Sequence, residues 1–132
     1  MLSLTLDQRD AIIASCVRAL PNEGCGVLIG RDDTVTEVVA SNNVADSAKI
    51  YEVDSRVLLR AYRRAEADGS DVIGVFHSHT HSDAFPSPTD VRQAPDPTWH
   101  YVIVSLRLAP TVLRSYLVRD EVITEEDVLL SS

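Results

Sequence analysis

The apolar run Val72-Ile73-Gly74-Val75-Phe76 passes without a polar break into His77-Ser78-His79, and no other stretch constrains the fold as much. A short run of this kind, rich in β-branched residues, reads as a strand buried on both faces, which requires a sheet covered on two sides. Alternate side chains of a strand share a face, so His77 and His79 emerge side by side. A polar loop follows, and Ser87-Pro88-Thr89-Asp90 has the form of a helix start: Ser87 as N-cap, Pro88 at the first helical position, Asp90 at the third. Two neutral imidazoles and one carboxylate form a donor set suited to zinc, with a fourth position left for water. Spacing alone leaves the third ligand undecided. His81 would share the face of His77 and His79 if the strand ran on, and Asp90 has a competing use as a capping-box partner.

The rest of the chain supplies the layers that such a strand needs. Thr5 opens a first helix with Gln8 placed to close a capping box, and Ile13, Cys16, Val17 and Leu20 fall on one face. Pro21 and Asn22 end it, and Gly24-Cys25-Gly26 leads into the apolar strand Val27-Leu28-Ile29. Thr34 to Ala40 reads as a second strand and Ile50 to Val53 as a short third one. A helix is predicted from about Asp54 to Asp68, stopping at Gly69, with Leu58, Ala61, Tyr62 and Ala65 inward and Arg56, Arg60, Arg63 and Arg64 outward. A short helix covers Pro88 to Gln93. Tyr101 to Val104 reads as a buried strand, Val112 to Val118 as a half-exposed one, and Val122 to Thr124 as its hairpin partner, with a loose tail. Interleaved helices and strands indicate an α/β class with a mixed sheet and a helix on each side.

With 132 residues, 45% of them hydrophobic, the chain suits one compact domain spanning 1–132. A net charge of −8 argues against a general nucleic-acid binder, whose affinity comes from neutralising phosphates. No apolar run approaches the ~20 residues of a membrane span, and Met1 to Asp7 lacks the basic and apolar regions of a signal peptide, so a cytoplasmic protein with no membrane partner is expected. Two cysteines, Cys16 and Cys25, are too few for a disulfide framework.

His77-Ser78-His79, seven residues, Ser87, two residues and Asp90 together resemble the full metal motif of the JAMM (MPN-plus) metallopeptidases. Glu23, in Pro21-Asn22-Glu23-Gly24-Cys25-Gly26, matches the upstream glutamate of that family. The resemblance implies a single-domain MPN (JAB1/MPN, cytidine-deaminase-like) fold with one zinc ion held by His77, His79 and Asp90. It further implies Glu23 as the catalytic acid and base for the zinc-activated water, and Ser87 as a hydrogen-bond donor to the oxyanion. Ser87 would then serve two purposes through one hydroxyl, since it is also the N-cap.

The chain has no room for the long insertions with which deubiquitinating members grip two ubiquitins. It is most similar to the compact bacterial Mec-type members. That likeness implies a ubiquitin-like sulfur-carrier protein as substrate, cleaved after its C-terminal Gly-Gly with cysteine or another adduct released. Glycines suit such a site because, lacking Cβ, they let a backbone pass close to the metal, and an exposed sheet edge could take the tail as a further strand. The segment after His81 and the Asn42-Asn43 loop are the candidate edges. The sequence assigns no other substrate-binding residue and leaves room for a homo-oligomer. Three alternatives carry less. A catalytically silent MPN-fold binding scaffold has no chemical need for the five-residue set. Cys25 as a nucleophile is superfluous beside zinc. A nucleobase deaminase requires a Pro-Cys-x-x-Cys unit that the sequence lacks.

Overall fold

A computed structural model describes residues 1–107 and 109–132. The strands are β1 (Leu2–Thr5), β2 (Cys25–Arg31), β3 (Thr34–Ser41), β4 (Asp71–His79), β5 (His100–Ser105), β6 (Val112–Arg119), β7 (Val122–Glu126) and β8 (Val128–Ser131); the helices are α1 (Leu6–Ala19), α2 (Ser55–Ala67) and α3 (Pro88–Arg92). All eight strands form one mixed sheet in the order β7-β6-β5-β4-β2-β3-β1-β8. β2 runs antiparallel to β3 and β4, whereas β4 and β5 are parallel.

The alternation of side chains divides the core between the two faces. Ile12 and Cys16 of α1 pack with Leu28, Phe76, Val102 and Val104, and Ala61 and Ala65 of α2 pack with Val27, Ile29, Val75 and Tyr101. Each fully buried aliphatic or aromatic side chain contributes about 1.5–3 kcal/mol, so both helices are held chiefly by apolar burial. Along β4 the pairing steps from Leu28–Gly74 to Ile29–Val72, leaving Ile73 as an extra residue. This bulge resets the alternation and keeps Val75, His77 and His79 on the α2 side.

Local signals fix the helix ends as the sequence suggests. Thr5 and Gln8 form the reciprocal capping box of α1, Asp54 caps α2, and Gly69 takes φ +68 just beyond α2. The helix faces differ from the expectation in part. On α1, Ile12, Ser15 and Cys16 are buried while Val17 and Leu20 are about half exposed; on α2, Val57, Ala61 and Ala65 are buried and Tyr62 lies largely in solvent. Each helix is rotated by a fraction of a turn from the expected face, which brings Ile12 and Val57 inward. The four arginines of α2 are exposed; Arg56 pairs with Asp54 and Arg64 with Glu37, 2.9 and 2.8 Å apart.

Two expectations are corrected. Ile50 to Val53 is not a strand; the segment makes only an isolated bridge between Asn43 and Val53, because the Asn43 side chain takes the backbone groups that a ladder would use. The C-terminal stretch is not loose either: β8 lies parallel to β1, with Leu4 opposite Leu130. That pairing joins the two ends of the chain, so no local pattern announces it. None of the helices among the described residues is long and apolar enough to cross a membrane.

Candidate metal centre

β4 delivers two histidines and the first turn of α3 delivers the aspartate. Ser87 Oγ accepts the Asp90 N–H at 3.1 Å, and Asp90 Oδ2 accepts the Ser87 N–H at 2.9 Å, which closes the capping box and immobilises the carboxylate. The same Oδ2 lies 3.1 Å from His77 Nε2 and 3.0 Å from His79 Nε2, and the two Nε2 atoms are 3.2 Å apart. Cap and site are therefore one arrangement, and the choice between them posed by the sequence does not arise. His81 is exposed and lies outside this group, which among the described residues is the one cluster of histidine, cysteine and acid side chains able to hold an ion.

These residues fit a metal ion. His79 donates from Nδ1 to the Asp83 carbonyl at 2.7 Å, which orients the ring. A carbonyl only accepts, so the neutral ring carries its lone pair on Nε2, facing a carboxylate oxygen. Two lone pairs at 3.0 Å repel unless a positive charge lies between them, either a proton on the ring or a metal ion. Ligands at about 2.0–2.2 Å from a tetrahedral zinc stand roughly 3.3–3.6 Å from one another, a little wider than the 3.0–3.2 Å seen.

Electrostatics follow from burial and contact. Burial lowers the His77 pKa; its ring is covered by Tyr51, stacked at 4.1 Å and 14°. At His79 burial also acts downward, but hydrogen bonds with Asp90 and the Asp83 carbonyl outweigh it and the pKa is raised. Burial would raise Asp90, yet the bonds from His77 and His79 hold it well below the usual carboxylate range.

Glu23 reaches the same place from the other side of β4. Cys25 pairs with His77, Ser78 N–H donates to the Gly24 carbonyl, and Gly24 N–H donates to Ser78 Oγ at 2.8 Å. The register carries Glu23 alongside His79. A Cβ on Gly24 would stand 2.6 Å from Cys16 Cα, so this approach needs glycine where α1 crosses. Glu23 is 3% exposed, and its Oε1 has no hydrogen-bond partner. Burial pushes its carboxyl up to about 8, against the pull of His79 and with the help of Asp90. Cys25 is buried too, with its thiol pushed up to about 12 by burial, which removes it as a nucleophile near neutrality.

Three neighbours of the site have no signature in the sequence: Tyr51 over His77, the Asp83 carbonyl behind His79, and Asn43, which binds the Glu23 carbonyl at 3.1 Å. Each acts through an irregular loop, where side-chain period carries no information. Tyr51 also lines a cavity of about 570 Å³ with Val53, Leu58, Tyr62 and Trp99. The outermost strands of the sheet are β7 and β8; neither the segment after His81 nor the Asn42-Asn43 loop is an edge strand.

A mixed sheet between helices, with two histidines at a strand end and an acid at the following helix start, defines a JAB1/MPN-type α/β protein. Residues 5–119 match the family model described as prokaryotic homologs of the JAB domain, and the chain belongs to that family, as a JAMM/MPN-plus member of the Mec type. It is 37% identical over 131 residues to the CysO-cysteine peptidase of Mycobacterium tuberculosis, covering 97% of this chain and 90% of that protein. It is 38% identical over 111 residues to a desampylase of Haloferax volcanii, covering 79% and 80%. A protein of Desulfitobacterium hafniense with a known solution structure superposes with a TM-score of 0.91 at 36% identity, over 99% of this chain and 93% of that one. A JAB1/MPN domain protein from Archaeoglobus fulgidus shares the fold at a TM-score of 0.65 and 20% identity, over the full length of both chains.

Proposed function

We propose that this chain is a zinc-dependent JAMM-type peptidase of one domain, hydrolysing the amide or isopeptide bond after the C-terminal Gly-Gly of a ubiquitin-like sulfur-carrier protein. The observation that carries this reading is the convergence of three ligand atoms beside a buried glutamate with an unpartnered oxygen. The relative named CysO-cysteine peptidase covers nearly all of the chain and makes cysteine the first adduct to try. A desampylase and a probable TtuB-protein conjugate cleaving protease among the relatives point to protein conjugates as the other choice.

Two imidazoles and a carboxylate are a donor set that zinc favours, and the ion, held by His77, His79 and Asp90, would supply the Lewis acidity that makes water nucleophilic near neutral pH. Glu23 takes the proton from that water and passes it to the departing amine. Its burial beside the ligands, with an oxygen free of hydrogen bonds, suits it to both transfers. Ser87 keeps both of its uses: its oxygen accepts the Asp90 N–H as N-cap, while its own hydrogen stays available for the developing oxyanion. A Gly-Gly tail suits such a site because, with no Cβ, its backbone can pass close to the metal.

The test is direct. Purified protein should contain about one zinc per chain, and mass spectrometry should show a carrier–cysteine or carrier–lysine conjugate cut after Gly-Gly, with cleavage lost on chelation and restored by zinc. Glu23→Gln should retain the metal and lose about 10²–10⁴-fold in kcat. A protein that binds no metal and leaves every conjugate intact is the silent scaffold instead.

A further inference from the structure

The Glu23 carboxylate has to stay free to move a proton, so hydrogen bonds to its own oxygens cannot be what places it. Oε1 makes none. Its backbone is held instead, on both sides of the residue and by one loop. The Glu23 N–H donates to the Ser47 carbonyl at 2.8 Å, and the Glu23 carbonyl accepts from Asn43 Nδ2 at 3.1 Å.

The loop between β3 and α2 contains no regular structure, and Asn43 organises it. Nδ2 donates to the carbonyls of Ser47 at 3.3 Å and Ile50 at 3.0 Å as well as to Glu23, and Oδ1 accepts the N–H groups of Ala45 at 3.1 Å and Glu52 at 3.0 Å. The side-chain amide is thus used in both polarities, donor half and acceptor half. The same loop contacts the metal site twice more: Tyr51 stacks on His77, and Thr80 Oγ1, one residue past β4, donates to the Ala48 carbonyl at 3.1 Å.

We propose that Asn43 is a positioning residue for Glu23: it fixes the 43–53 loop and ties it to the Glu23 backbone, so that the unpartnered carboxylate stands ready beside the histidines. This rests on the reading of Glu23 as the proton-transfer group. Asparagine is required because only a neutral amide offers two N–H hydrogens, here shared among three carbonyls with Ser47 the farthest at 3.3 Å, while its oxygen accepts two N–H groups. Aspartate has the same shape and keeps the acceptor half, but turns a charged oxygen on the Glu23, Ser47 and Ile50 carbonyls. The metal ligands lie on β4 and α3, outside the loop, so loss of Asn43 should move the base and spare the ion.

The experiment compares Asn43→Asp, Glu23→Gln and the double variant, each with zinc loaded and assayed well below its unfolding temperature on the same Gly-Gly conjugate. Asn43→Asp should lower kcat by between about tenfold and about a hundredfold, the cost of a misplaced catalytic group, with zinc content retained and KM changed by less than about threefold. In the Glu23→Gln background the same substitution should cost less than about twofold, since there is no base left to misplace. Amide exchange on the zinc-free protein supplies a readout independent of turnover: the Glu23 N–H should lose protection in Asn43→Asp while the core amides of β4 keep theirs. Asn43→Ser, which cannot reach the Glu23 carbonyl, replaces Asn43→Asp if the latter does not fold. An unchanged kcat, or an equal loss in both backgrounds, overturns the proposal and makes Asn43 a fold-stabilising residue only. If Glu23→Gln itself remains fully active, the assignment of the base fails first, and that result is separate from the behaviour of Asn43.

Discussion

At the end of β4 two imidazoles and a carboxylate aim three atoms at one point; at the start of β5 a single imidazole is stretched between two carboxylates. His100 Nδ1 lies 2.6 Å from Glu126 Oε2 and His100 Nε2 lies 2.9 Å from Asp33 Oδ1, so both ring nitrogens are spent as donors. Glu126 is spent as well: Oε2 also accepts from Ser115 Oγ at 2.8 Å, and Oε1 is 2.9 Å from the Met1 amine. Both clusters bring a buried histidine to acid, yet the first has capacity left over in Glu23 Oε1 and His77 Nδ1, whereas in the second Glu126 Oε1 makes no hydrogen bond but is taken up by the ion pair with the Met1 amine, and Asp33 lies exposed. Divergent, saturated contacts hold strands together. Convergent, unsaturated ones leave room for an ion and for a proton.

The largest effect separating the two clusters should come from Asp90→Asn. Removing the one formal charge among the three ligand atoms should cost at least about a hundredfold in metal affinity, beyond what outer partners of metal ligands usually cost, and cleavage should fall with it. Metal titration against a competing chelator measures this. Full zinc retention in Asp90→Asn would erase the distinction between the two clusters. Glu126→Ala is the converse. It takes one of two carboxylates from His100, leaving Asp33, and should lower unfolding stability by about 2 kcal/mol in denaturant titrations, with kcat and zinc content unchanged.

How far each cluster can be read in the sequence follows the same division. His77, His79, Ser87 and Asp90 lie within fourteen residues, so strand parity and helix-cap chemistry, both local rules, suffice to bring them together. Glu23 is 54 residues from His77, and in the sequence only the motif resemblance links them. Asn43 and Tyr51 escape a reading by pattern because they act from a loop whose order comes from one side-chain amide rather than from a period; the strand expected over Ile50 to Val53 mistakes a β-branched, aromatic composition for a ladder. His100, Asp33 and Glu126 come from distant parts of the chain, and the β1–β8 pairing that closes this end of the sheet leaves no local trace. Rotation of α1 and α2 about their axes is likewise invisible, since tertiary packing selects which of two adjacent apolar stripes turns inward.

The smallest effect is a pH dependence, and it sharpens the comparison because its sign is fixed by the direction of each shift. Burial would lower the His100 pKa, but the bonds to Glu126 and Asp33 outweigh it, so the folded value lies above 6.5. A group raised in the folded state stabilises fully below its unfolded value and loses that contribution as pH rises through the folded one. Burial would raise Glu126, but His100, the Met1 amine and Ser115 bring it down from 4.5 to about 2, so its contribution is complete above 4.5 and is lost as pH falls towards 2. The clamp is therefore strongest between 4.5 and 6.5. His79 and Asp90 titrate in the same directions and would confuse a scan of the wild type alone. Both are present in Glu126→Ala, so the difference between the two proteins cancels them. The Met1 amine, raised above 8.0, stays charged across this range. The stability gap between wild type and Glu126→Ala, measured by urea unfolding, should be widest near about pH 5.5 and should narrow towards about pH 8 without vanishing, because neutral His100 and Ser115 still donate to Glu126. A gap that widens with rising pH would mean that His100 is buried neutral, and that this cluster is no saturated ion clamp and does not differ from the metal site in the way its contacts indicate.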